Sequence, residues 1–207
     1  MRPCPSIVPR AAVPALVCAS LVLGGCVPNL TSPDAGDSGT TDWVGPVNGW
    51  PTSAPPADLQ GEGYAVGQVM PDFRLMDQHG DEVALWQFYG SVVVIDISTM
   101  WCGPCIALAK EVTETWHDYQ DQGFMYLTLL PEDDQGQVPD QADLQRWASD
   151  HEIEAPVLSD GIGRSYELAP DAAYPRVYIL DRSMRVAVDR VNPVSDAVIR
   201  ATIEDLL

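Results

Sequence analysis

Three observations predict an α/β fold, a mixed central β-sheet flanked by α-helices. Strand-like and helix-like periodicities alternate from about Tyr64 to the C-terminus. The run Val92-Val93-Val94-Ile95-Asp96-Ile97 is almost continuously β-branched, as in a central strand buried on both faces. The chain then closes on a hairpin pattern followed by a capped helix, which calls for antiparallel pairing beside the parallel units.

The elements follow in order. Phe73-Arg74-Leu75 and Val83-Ala84-Leu85 flank the polar turn Asp77-Gln78-His79-Gly80-Asp81, predicting an N-terminal hairpin ahead of the Val92 strand. From Pro104 to about Gln120, Ile106, Leu108, Ala109, Val112, Trp116 and Tyr119 recur at helical spacing, and Gly123 is a stop signal. Phe124 to Leu130 is a second strand. After the acidic loop Pro131 to Asp140, Leu144, Trp147 and Ala148 mark another helix, followed by the short run Pro156-Val157-Leu158 and a helical stretch around Tyr166. Val177 to Leu180 and Val186 to Val188 bracket the turn Asp181-Arg182-Ser183-Met184, and Ser195 to Leu207 is the terminal helix.

The N-terminal quarter has a different character. Arg2 and Arg10 form a positive n-region, and Ala11 to Leu23 an apolar stretch of signal-peptide length, too short for a membrane span. It ends in Leu23-Gly24-Gly25-Cys26, which resembles the lipobox of bacterial lipoproteins; the resemblance implies lipidation of Cys26 after removal of residues 1–25. Residues 26–63 are Pro, Gly, Ser, Thr, Asp and Ala with few aliphatics, so they read as a lipid-anchored, disordered tether, with no role assigned to Trp43 or Trp50. The folded domain is expected over 64–207. The resemblance implies a domain on the extracytoplasmic side of a bacterial envelope, held to the membrane by its lipid.

Charge narrows the partners. Against 11 basic residues stand 30 acidic ones, and the formal charge of -19 repels phosphate backbones, which argues against nucleic acid. Cysteine usage is more selective still. Cys4 and Cys18 would leave with the signal peptide and Cys26 would be blocked, so Cys102 and Cys105 remain. A single CxxC lacks the second pair of a four-cysteine zinc site, and no metal is expected. The pair is either redox-active or closes a small structural loop.

The chemistry sits at the end of the Val92 strand, in Trp101-Cys102-Gly103-Pro104-Cys105. A strand turning into a helix there places the first sulfur at the helix N-terminus, where free amides stabilise a thiolate, so Cys102 is the expected nucleophile. Pro104 suits the first turn, and the two-residue spacing lets Cys105 reach back to close a disulfide as resolving thiol. No other cofactor is called for.

Trp-Cys-Gly-Pro-Cys resembles the active-site signature of thioredoxins. Val66-Gly67 through Phe73, His79-Gly80, Pro156 to Asp160 and Tyr174-Pro175 through Asp181 are similar to the TlpA/ResA-like branch of extracytoplasmic thiol-disulfide oxidoreductases, of the AhpC/TSA-redoxin type, over about 64–207. The resemblance implies a thioredoxin fold with an N-terminal β-hairpin extension. It also implies that Pro175 is a cis proline facing the CxxC, that the backbone of Tyr174 pairs with an extended substrate, and that Trp101, Gly103 and Pro104 border the same groove. Asp96, six residues before Cys102, takes the place of the buried acid that relays the Cys105 proton. The chain departs from the pattern at Ser98, where an aromatic is common, and offers no Lys on the second strand to pair with Asp96.

Together these features predict a membrane-anchored reductase of extracytoplasmic protein disulfides. It would be fed by a membrane thiol-transfer protein as electron donor, with cytochrome c maturation one role that the resemblance suggests. Two other readings stay open. A peroxiredoxin-type peroxidase finds Thr99 three residues before Cys102, but Ile95 where that motif wants Pro. A copper-handling or interaction module would want CxxxC rather than CxxC. His79, His117 and His151 show no ligand spacing and read as solvated surface residues, and Glu132-Asp133-Asp134 reads as a solvated loop.

Overall fold

A computed structural model describes residues 43–207. The expected signal peptide, Cys26 and the first part of the expected tether lie outside the described residues. Among the described residues seven strands form one mixed sheet: β1 (Arg74–Asp77), β2 (Glu82–Ala84), β3 (Val92–Ile97), β4 (Phe124–Leu130), β5 (Val157–Ser159), β6 (Arg176–Leu180) and β7 (Val186–Val188). Their spatial order is β2-β1-β5-β4-β3-β6-β7. β3 pairs parallel with β4 and β4 with β5, while β6, β7, β1 and β2 add antiparallel partners outside this core.

β3 and β4 are buried along their whole length, as their unbroken apolar runs require. Their side chains alternate between two cores. Val93, Ile95 and Ile97 join Leu127, Leu129, Tyr178 and residues of the β1–β2 hairpin on one face. Val92 and Val94 join Tyr126, Val177, Leu108, Trp147 and Ile199 on the other. The helices are α1 (Gly103–Ala109), α2 (Val112–Tyr119), α3 (Gln141–Asp150), α4 (Arg164–Leu168) and α5 (Asp196–Leu206). None of the described helices is long and apolar enough to cross a membrane.

Two expectations change. The single helix read from Pro104 to Gln120 is α1 followed by α2, because the Glu111 amide donates to the Leu108 carbonyl across three residues rather than four and tightens the turn between them. Gly123 does end that unit, with φ of 80°; a Cβ there would lie 2.7 Å from the Arg182 guanidinium.

The second change concerns residues 43–63, expected as tether. They lie along the domain. Trp43 Nε1 donates to Asp72 (3.0 Å), Trp50 Nε1 donates to Asp77 (2.7 Å), and the Ser53 amide donates to the Gln87 carbonyl (2.7 Å). Asn48 and Gln87 exchange amide hydrogen bonds at 3.1 and 3.2 Å. Aliphatic content gave no sign of this, because the segment docks through two indoles and amide pairs rather than through an aliphatic stripe.

Candidate active site

The end of β3 builds the site. After Ile97, the Ser98 amide donates to Leu129 O on β4, and the chain turns through Thr99 and Met100 to Trp101. Cys102 is the N-cap of α1: its backbone is extended, its carbonyl accepts from the Ile106 amide, and its Sγ accepts from the Cys105 amide at 3.3 Å. That amide is a fixed donor to whatever charge develops on Cys102. Pro104 occupies the first turn, where a missing N–H costs nothing.

Cys102 and Cys105 are joined in a disulfide with Cα atoms 5.2 Å apart. The two sulfurs differ in access. Cys102 is 6% exposed and Cys105 fully buried, so an incoming group meets Cys102 first. Gly103 and Pro104 are exposed on the rim.

The antiparallel pairing of β6 with β3 sets Arg176 opposite Ile97, which brings Tyr174 and Pro175 to the point where β3 leaves the sheet. The Tyr174–Pro175 bond is cis. Pro175 and Pro104 line one cavity of about 360 Å³ together with Leu108, Val194 and Asp196. The Trp101 and Tyr174 rings meet edge to face at 6.4 Å, and Trp101 is 53% exposed. All the residues expected to form the substrate groove therefore converge on one end of the sheet.

Asp96 is buried on β3, facing the layer that holds Leu108 and Ala109 of α1. Ser98 Oγ donates to its Oδ1 at 2.8 Å, and its Oδ2 has no partner. Burial pushes its pKa up from 3.8 to about 7, with the Ser98 hydrogen bond pulling the other way. Such a carboxyl can take or give a proton near neutral pH. The departure at Ser98 is thus a direct hydrogen-bond partner of the acid. Where a Lys was missed on β4, Thr128 sits directly beside Asp96 in the sheet, with Tyr126 two residues before it. Neither hydroxyl is partnered, and burial together with the Asp96 and Asp196 charges pushes the Tyr126 phenol well above its ordinary pKa.

The acidic loop splits into two roles. Asp133 is buried and accepts from the Gln135 and Gln137 amides, shaping the loop. Glu132 accepts from Trp101 Nε1 at 2.9 Å, so it belongs to the site. Sequence reasoning passed over Glu132 because its partner lies 31 residues away, on another loop. The histidines also regroup: His79, His117 and His151 all line a cleft of about 1120 Å³, larger than the cavity beside Pro175. That cleft contains neither cysteine. His117 pairs there with Glu154 at 2.9 Å, and among the described residues no group of three or more potential ligands stands ready to hold a metal ion.

Comparison with known proteins agrees with this geometry. Residues 66–188 match the AhpC/TSA family. The chain is 26% identical to the thiol-disulfide oxidoreductase ResA of Geobacillus thermodenitrificans over 125 residues, which cover 59% of this chain and 67% of that protein. The thioredoxin domain of a thiol-disulfide oxidoreductase from Bacteroides vulgatus superposes with a TM-score of 0.56 at 17% identity, covering 68% of this chain and 96% of that one. A thiol:disulfide interchange protein of the thioredoxin family from Chlorobium tepidum gives 0.56 at 14% identity, covering 77% and 99%. These solved structures share the thioredoxin fold with this chain.

Proposed function

The chain belongs to the AhpC/TSA family, and from that premise we propose that it is a thiol-disulfide oxidoreductase whose Cys102-Cys105 dithiol reduces disulfides of extracytoplasmic proteins. The observation that carries this reading is the paired sulfurs at the start of α1, the outer one capped by the Cys105 amide and the inner one buried. Cys102 thiolate attacks one sulfur of a client disulfide; the other client sulfur leaves with the bonding pair and takes up a proton. Cys105 then passes its proton to the Asp96 carboxylate and attacks Cys102 Sγ, expelling the second client thiolate. Two electrons have moved from the dithiol to the client, and Cys102–Cys105 is a disulfide again. An extended client strand would pair with the backbone of Tyr174 beside Pro175.

The rest of the reading rests on sequence. Cys26 carries a lipid that holds the domain on the extracytoplasmic face of the envelope, and a membrane thiol-transfer protein returns the electrons. Apocytochrome c cysteines are one client. The Gly103-Pro104 dipeptide, like that of reducing thioredoxins, favours reduction over oxidation. ResA, the similar Geobacillus protein, is itself a thiol-disulfide oxidoreductase, in agreement with this reading.

The reduction potential of the Cys102–Cys105 pair, measured by equilibration with dithiothreitol, tests it. A value near about -270 mV supports a reductase, and one near about -120 mV reverses the direction and makes the chain a disulfide donor. A pair that never equilibrates with thiols removes the oxidoreductase reading.

A further inference from the structure

We propose that an exposed apolar ribbon running from Trp101 to Val138 is the surface on which this oxidoreductase docks its clients. It fits an extended disulfide-bearing segment with bulky apolar side chains and a lysine or arginine opposite Glu132. The inference rests on the reading of Cys102–Cys105 as a redox-active pair and adds the chemical class of its substrate.

The ribbon draws on three neighbouring segments. Trp101, 53% exposed, stands edge to face with Tyr174 at 6.4 Å. Glu132, whose carboxylate accepts from the Trp101 indole, opens the loop that carries Val138, and the Asp160 amide donates to Leu130 O, so the segment leading to Tyr166 runs beside that loop. Tyr166, 51% exposed, folds its ring over the backbone of Gly163, where a Cβ would meet its Cδ2 at 3.5 Å. Next comes Ile162, 61% exposed, and beyond it Val138, 52% exposed, whose Cγ1 lies 3.8 Å from the Cβ position of Gly161. Four large apolar side chains thus stand exposed on the neighbouring segments around the nucleophile. Clustered exposed apolar surface of this kind marks a binding face, and Trp and Tyr are the side chains that carry most interface energy.

Charge defines the partner further. The acids around the ribbon are mostly neutralised: Asp134 pairs with Arg146, Glu167 with Arg164, and Asp171 with Arg176 and Arg190. Glu132 forms no ion pair among the described residues and accepts only the Trp101 indole, leaving lone pairs free at the edge of the ribbon. With a net charge of -19 behind it, that edge attracts a cation and repels an acidic segment.

Single-turnover reduction of three oxidised peptides by the reduced full chain decides the matter, read through Trp fluorescence. One peptide carries Leu and Lys flanking its cystine, the second Ser in place of Leu, the third Glu in place of Lys. The Leu-Lys peptide is expected to react about tenfold faster than the Ser version, the ratio that burying one bulky apolar side chain supplies. It is expected to react about threefold faster than the Glu version at low salt, with the difference shrinking as salt rises. Ile162→Ser and Tyr166→Ser should each collapse the first ratio, and Glu132→Gln the second. Equal rates for the three peptides, or ratios untouched by these substitutions in chains with unchanged far-ultraviolet circular dichroism, overturn the ribbon. Reduction of 2-hydroxyethyl disulfide by the unsubstituted chain separates the two failures: if that reaction proceeds the redox reading stands and the surface alone is wrong, and if it is absent the oxidoreductase reading itself falls.

Discussion

The two ends of the sheet treat buried polar groups in opposite ways. At the hairpin end the buried side chains of Asp77, Gln78 and Gln87 are answered, and the Trp116 indole, against Trp50, is the exception. Asp77 accepts from the His79 and Asp81 amides and from Trp50, Gln78 bridges Ala155 O and the Val157 amide, and Gln87 ties Asn48 and Ala84. At the cysteine end, Asp96 Oδ2, Thr99 Oγ1, Thr128 Oγ1, Tyr126 OH and Tyr174 OH lack partners. Satisfied groups fix a structure; a buried carboxyl left half-satisfied keeps a raised pKa and the capacity to move a proton. The difference separates the part of the molecule that holds shape from the part suited to chemistry.

The largest effect should come from the sulfurs. Cys102→Ser is expected to lower disulfide reduction by about three orders of magnitude or more, while Cys105→Ser, lacking only the resolving thiol, should accumulate client mixed disulfides visible on non-reducing gels. Neither belongs to the load-sharing of the hairpin end. There, Asp77→Ala strands two amides and an indole N–H, and urea titration should show a loss of about 3 kcal/mol.

Asp96→Asn should do the reverse. In the folded chain this acid holds its proton until about pH 7, whereas unfolded it releases it near 3.8. Its contribution is therefore fully present below pH 3.8 and is lost as pH rises toward 7. The Asn variant should be more stable than the parent by on the order of 2 kcal/mol at pH 8 and no more stable near pH 4, while reducing disulfides more slowly. A variant destabilised at pH 8 would erase the contrast between the two ends.

Smaller effects sharpen it. Trp50→Phe keeps the ring and removes the bond to Asp77, for a loss of about 1 kcal/mol in the same titration. Ser98→Ala removes the donor that holds the Asp96 pKa down, so the pH midpoint of the reduction rate should move upward, by less than about one unit.

At the hairpin end the sequence foresaw both strands and missed the 43–63 segment docked on them; at the cysteine end it foresaw the strand-to-helix turn and missed Glu132. The β-branched Val92–Ile97 run and the Cys102-Cys105 spacing each carry a local signal, Pro175 was implied by the resemblance to thioredoxins, and the structure brings Pro175 to the end of β3 where the cysteines lie. Trp43 and Trp50 carry none: a tryptophan in a Pro/Gly-rich segment looks the same whether or not an aspartate 27 or 29 residues on is waiting for its indole. Glu132 was hidden for the same reason.

By itself the sequence determined the alternation of strands and helices and the position of the cysteine pair at a strand-to-helix turn, because periodicity and turn chemistry are properties of neighbouring residues; the buried acid six residues before the pair came from the resemblance to thioredoxins. Tertiary structure alone decided that residues 43–63 pack on the domain, that Ser98 and Thr128 stand beside Asp96, and that Trp101, Tyr174, Tyr166 and Glu132 share one edge. Each of these depends on which strands become neighbours in the sheet, and the order β2-β1-β5-β4-β3-β6-β7 is set by burial summed over both cores, which no local window contains.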